Sequence, residues 1–157
     1  KSRQYWHDVI GYNYRMTNIC AAIGLAQLEH APVILKKKRE IAESYKNFLE
    51  GLPIRMLWQD QDTVNSFWMI TIGLEDSSLR DNLREYLEKN GIETRPTFYP
   101  VHTMPMYFKK LERHPAAEQL GWAGINLPSY PALSVSDIEF ICFEVKKYFE
   151  LKNVSNI

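Results

Sequence analysis

Apolar positions along the chain repeat with two different periods, and the switches between them mark out its elements. Residues 19–28, following Thr17 as a plausible N-cap, are apolar on nearly every side, and Ala21, Ala22, Gly24 and Ala26 keep the segment thin. Such a helix is expected to be buried all round, or to pack closely on another helix or subunit. Pro32 is expected to kink or restart it. The second half, residues 34–52, carries Ile41, Tyr45, Phe48, Leu49 and Leu52 at spacings of three and four, and Gly51 and Pro53 stop it.

Residues 66–74 read as a strand with Trp68, Ile70, Ile72 and Leu74 on one face. Ser77 or Ser78 then caps a helix striped by Leu79, Leu83, Tyr86 and Leu87, and Gly91 sits where a glycine past the helix end belongs. A short strand is expected over 92–95, a proline-punctuated loop over 96–105, a short helix over 115–124 and an extended segment over 127–133. Ser134 caps a last helix, 135–150, whose Ile138, Ile141, Cys142, Val145 and Phe149 keep helical period. This order predicts an α/β fold, helices laid against a small sheet and not a doubly wound domain.

Composition narrows the partners. A chain of 157 residues with 45% hydrophobic and 24% charged residues has material for a core. Its 19 basic and 19 acidic residues cancel, and the densest basic run, 36–39, is only four residues long, so a nucleic-acid surface is not expected. No wholly apolar run reaches the ~18 residues of a membrane helix, which points away from a membrane. Cys20 and Cys142 lie in apolar helical patterns and are expected to be small buried hydrophobes. A reducing, cytoplasmic setting is expected, with no disulfide framework. The chain opens without Met in a charged and aromatic stretch, as a fragment would.

Standard catalytic motifs do not occur, and the four histidines show no metal-ligand spacing. Two segments stand out. Gly11-Tyr12-Asn13-Tyr14-Arg15-Met16-Thr17-Asn18 brings an amide, a guanidinium and two phenols to a helix N-terminus, a place suited to an anion. A capped loop with tyrosines resting on the core accounts for it equally. Arg95-Pro96-Thr97-Phe98-Tyr99-Pro100-Val101-His102 stiffens a loop bearing three side chains that can grip a polar ligand, and is equally consistent with a rigid crossover.

The stretch GYNYRMTNICAAIGLAQLE resembles a signature of the DegT/DnrJ/StrS family of pyridoxal-phosphate nucleotide-sugar aminotransferases. The resemblance continues through residues 39–45, GIETRPTFYPVH (91–102), MPMY (104–107) and GINLPSYPALS (124–134), in family order over essentially the whole chain. YWHDVIGYNYRMTNI is most similar to the perosamine-forming type, which aminates a GDP-linked 4-keto-6-deoxy sugar. The resemblance implies the C-terminal portion of an aspartate-aminotransferase-like enzyme, with residues 1–31 from the cofactor domain and 32–157 forming the small domain. It further implies a homodimer with shared active sites, pyridoxal 5'-phosphate as cofactor, glutamate as amino donor and a nucleotide-linked keto sugar as acceptor.

Residue by residue, the family's cofactor-phosphate asparagine corresponds to Asn13, and Arg15 follows it near that shared site. His102 and Tyr99 correspond to residues by the sugar-nucleotide pocket, and Arg95 is a candidate for the substrate diphosphate. Tyr12 and Tyr14 brace the loop. The family's Schiff-base lysine has no counterpart here, since Lys1, Lys36, Lys37 and Lys38 stand outside its motif. The chain alone is therefore expected not to transaminate. Two rivals fit the same residues: a sugar dehydratase of the same family, with histidine in place of the lysine, and a non-catalytic module serving dimerisation or regulation.

Overall fold

The computed structural model describes residues 12–109 and 111–155; Lys1 and Gly11, the first residue of the signature, lie outside them. The chain forms two compact units, Lys1–Val33 and Ile34–Ile157. In the first, residues 12–17 are irregular, with the Tyr12 and Tyr14 rings stacked at 5.5 Å. Helix α1 (Asn18–Phe48) begins there. Thr17 caps it as expected, its Oγ1 accepting from the Cys20 N–H at 3.3 Å.

Cys20 is exposed in this unit, where a buried cysteine is expected. Residues 18–30 are exposed in the chain, Ile19, Ile23, Leu25, Leu28 and Cys20 among them. Apolar character marks a surface needing cover, and among the described residues this unit holds no second element to supply it. Pro32 does not end the helix either, since α1 runs through it as one element of 31 residues. By length and mean composition alone α1 contains a stretch apolar enough to cross a membrane. Gln27, Glu29 and His30 interrupt that stretch, and core helices pass the same test.

The second unit is built on a four-stranded antiparallel sheet ordered β1-β2-β4-β3, with β1 Ile54–Met56, β2 Ile70–Leu74, β3 Arg95–Pro96 and β4 Gly124–Leu127. Register places Ile70 opposite Leu127 and Ile72 opposite Ile125. These side chains enter one core with Ile41 and Tyr45 of α1, Leu49 just past its end, Leu83 and Leu87 of α2 (Arg80–Lys89), and Ile138, Cys142 and Val145 of α4 (Val135–Ser155). Each such side chain contributes roughly 1.5–3 kcal/mol on full burial. The opposite face of β2 and β4 carries Thr71, Gly73, Gly124 and Asn126, small or polar residues. There Leu120 of α3 (Pro115–Ala123) sits near Gly73.

Turn chemistry explains most boundaries. Gly91 takes φ +79° and closes α2 through Gly91 N–H to Glu88 O (2.9 Å) and Ile92 N–H to Leu87 O (2.9 Å). Ser134 and Asp137 cap α4 reciprocally: Ser134 Oγ accepts from Asp137 N–H and Asp137 Oδ2 from Ser134 N–H, both at 3.1 Å. The serine cap expected for α2 is not there: Asp76 caps a 3-10 turn, Ser77–Leu79, its Oδ1 accepting from Ser78 N–H at 2.9 Å, and α2 follows Leu79 with no side-chain cap.

Strand 66–74 is shorter than expected because Phe67 adopts φ +49°, held by its N–H to Asn65 Oδ1 at 2.8 Å. That reversal breaks the alternation, so Phe67 is buried (3%) while Trp68 is 70% exposed. The expected strands at 92–95 and 127–133 form instead at Arg95–Pro96 and Gly124–Leu127, and β1 adds a strand not foreseen. Beyond β4 the chain is tied to α1: Tyr45 Oη donates to Pro128 O (2.9 Å), and Lys38 Nζ donates to Trp68 O (2.9 Å), Ser129 O (2.5 Å) and Ser129 Oγ (2.8 Å). Burial pushes the Lys38 ammonium below its ordinary range.

Candidate functional site

The second candidate segment lies against α3, and two glycines permit the approach. A Cβ on Gly121 would stand 2.6 Å from Pro100 Cδ, and one on Gly124 would stand 2.5 Å from Thr97 Oγ1 and 2.6 Å from Leu120 O. Thr97 is buried and pinned there, its N–H donating to Gly124 O (3.2 Å) and its hydroxyl to Leu120 O (2.7 Å). Asn126 holds the preceding residue, donating to Pro96 O at 3.2 Å while accepting from Thr71 Oγ1 at 2.6 Å. Past Pro100 the chain enters a 3-10 turn, Val101–Thr103, closed by Thr103 Oγ1–H to Pro100 O at 2.7 Å.

This scaffold fixes two of the expected residues. Tyr99 packs on Trp122 with ring centroids 5.3 Å apart. His102 Nε2 stands 3.0 Å from Glu118 Oε1, with both side chains largely buried, 13% and 14% exposed. Arg113 adds a bidentate pair to the same carboxylate, and the His114 N–H donates to it at 3.0 Å. Arg113 first, then these two histidine contacts, pull the Glu118 carboxyl down to about 2. The His114 ring meets His102 edge-on at 4.6 Å and pairs with Glu112 (3.0 Å), which also takes Lys109 at 3.2 Å. His102, Tyr107, Lys109, Glu112 and His114 line an open groove of about 600 Å³ together with apolar Val101 and Met106.

Arg95 is placed differently. It is exposed, faces Glu93 at 3.5 Å, and among the described residues has no hydrogen bond or ion pair with Tyr99 or His102. It lines another groove with Trp68, Asn126 and Tyr130. Asn13 and Arg15 lie in the first unit, both exposed just before α1, without a hydrogen bond or ion pair among the described residues. Their amide and guanidinium, beside the free N–H groups of the first turn, form a donor set that fits a phosphate. No three His, Cys, Asp or Glu side chains among the described residues group as a metal site.

Sequence reasoning missed Glu118, Arg113 and Trp122. The only local hint is Pro115 at the start of α3 with Glu118 in its first turn, a helix-start pattern that says nothing of His102 sixteen residues away.

Known proteins resemble the chain over nearly its whole length. A model described as the DegT/DnrJ/EryC1/StrS aminotransferase family matches residues 1–146. GDP-perosamine synthase of Escherichia coli O157:H7 is 53% identical over 150 residues, 96% of this chain and 41% of that protein. The Vibrio cholerae GDP-perosamine synthase is 46% identical over 151 residues, 94% and 41% of the two chains. Among solved structures, the putative sugar aminotransferase Spr1654 from Streptococcus pneumoniae in its apo-form superposes with a TM-score of 0.80 at 25% identity, covering 90% of this chain and 37% of that one. PseC of Helicobacter pylori, an aminotransferase involved in the biosynthesis of pseudoaminic acid, gives 0.79 at 25%, covering 96% and 43%. The chain spans about two fifths of the length of these curated relatives.

Proposed function

The chain belongs to the DegT/DnrJ/EryC1/StrS aminotransferase family, and on that premise we propose that it is the C-terminal part of a pyridoxal-phosphate sugar aminotransferase. The reaction is transfer of an amino group from glutamate to a nucleotide-linked keto-deoxy sugar of the perosamine type, a precursor of surface polysaccharide made in the cytoplasm. The likeness to two GDP-perosamine synthases is the observation that carries this reading. Residues 1–31 would come from the cofactor domain and 32–157 would be the small domain; the division between Val33 and Ile34 supports this. The exposed apolar positions of α1 support a homodimer with shared active sites, since Ile19, Ile23 and Leu28 need a covering surface.

When bound, pyridoxal phosphate supplies the electron sink on which amino transfer depends. Asn13 and Arg15 would donate to its phosphate. Tyr99 and His102 would hold the sugar nucleotide, and exposed Arg95 its diphosphate. The 157 residues alone would not transaminate: no lysine here occupies the family's catalytic motif, and Lys38 is spent on three hydrogen bonds.

In the complete enzyme, Asn13→Ala should weaken cofactor retention by roughly tenfold or more, the scale of a lost charge-assisted hydrogen bond. Dialysis followed by cofactor absorbance measures it, and full retention would count against Asn13. His102→Ala should raise KM for the nucleotide sugar by about tenfold while leaving cofactor retention unchanged. Product analysis with glutamate and a GDP-linked 4-keto-6-deoxy sugar tests the reaction itself. A product that has lost a hydroxyl without gaining nitrogen would identify the dehydratase instead.

A further inference from the structure

Glu118 has more partners than a helix cap requires. Oε1 accepts from Arg113 Nε (2.9 Å) and the His114 N–H (3.0 Å) and faces His102 Nε2 at 3.0 Å; Oε2 accepts from Arg113 Nη2 at 2.5 Å and Nε at 3.0 Å. With these donors around it the group is a carboxylate throughout the neutral range. A carboxylate only accepts, so the hydrogen between the two side chains belongs to His102 Nε2. In the neutral ring Nδ1 is then the acceptor. Nδ1 has no hydrogen-bond partner among the described residues, and the ring lines the groove beside Tyr107 and Lys109.

We propose that Glu118 is a positioning residue: it locks the ring orientation and the Nε2–H form of His102, so that Nδ1 stands as an acceptor for a hydroxyl of the sugar half of the substrate. This rests on the reading of the groove as the sugar-nucleotide pocket. Arg113 and the His114 N–H hold the carboxylate in place, and the His114 ring, pinned by Glu112, closes on the His102 ring from one side. A side chain that merely capped α3 would need only the His114 contact. The pairing with a largely buried imidazole across sixteen residues is what gives Glu118 a role beyond that.

Nitrogen-15 spectra of the complete enzyme with labelled histidines, recorded at about pH 8.5, above the ordinary histidine range, read the ring form directly. His102 is expected in the Nε2–H form in the wild type and as a mixture of both forms in Glu118→Gln. The same variant should raise KM for the nucleotide sugar about three- to tenfold with kcat within twofold. In a His102→Ala background, Glu118→Gln should add nothing further. An Nδ1–H ring in the wild type overturns the proposal, and this holds even if the variant fails to fold. An equal KM rise with or without His102 also overturns it. If His102→Ala leaves KM unchanged, the reading of the groove fails, while the spectra still decide whether Glu118 positions the ring.

Discussion

Tyr45→Ala is expected to lower the stability of the folded chain by roughly 3–5 kcal/mol, the range for deleting a large buried ring. Tyr45 is fully buried where α1 enters the core, so its removal leaves a cavity between elements that pack on all sides. Its hydroxyl also donates to Pro128 O, and with the ring gone that carbonyl loses its partner. Burial pushes the phenol well above its ordinary range, so it remains a neutral donor throughout the working pH range. Domains of this size are stable by only about 5–15 kcal/mol, and the variant should approach the unfolding threshold. Urea unfolding followed by circular dichroism measures the loss. Tyr45→Phe separates the two contributions and should cost only about 1 kcal/mol. A loss below about 1 kcal/mol in the alanine variant would mean that α1 is not anchored through this residue.

What could be read in advance followed from local physics. The stripes of α2 and α4, the cap at Ser134 and the glycine ending α2 depend on residues within a turn or two of each other. The loop bearing Tyr99 and His102 was legible for the same reason, since its prolines and polar side chains lie in one run. Long-range effects were not. Phe67 and Trp68 exchange places because one left-handed residue reverses the alternation, and no period reveals it. Cys20 and its neighbours are apolar yet exposed, because apolar character states a need for cover without naming what provides it. Glu118 escaped because its meaning lies in a contact made only once α3 folds back on the loop. Arg95, adjacent in sequence to the other candidates, is carried by β3 to a different groove.

Gly124→Ala is expected to destabilise the chain by about 3 kcal/mol, at or beyond the upper end of ordinary overpacking. The new Cβ would fall on Thr97 Cγ2, 2.5 Å from Thr97 Oγ1 and 2.6 Å from Leu120 O. Relief by rotating Thr97 would break its hydroxyl's bond to Leu120 O, and Leu120 O is backbone at the end of α3. The strain should therefore pass into the loop, shifting Pro100 off Gly121 and drawing His102 away from Glu118. A drop in Tm of roughly 6–12 °C corresponds to this loss for a chain of this length, and KM for the nucleotide sugar should rise together with it. Gly73→Ala is the control on the same sheet face: its Cβ would meet Arg55 O at 3.7 Å and Leu120 Cδ1 at 3.9 Å, ordinary contacts that require no movement. If Gly124→Ala proved as stable as Gly73→Ala, the close packing of α3 on the loop would not be what sets the position of His102.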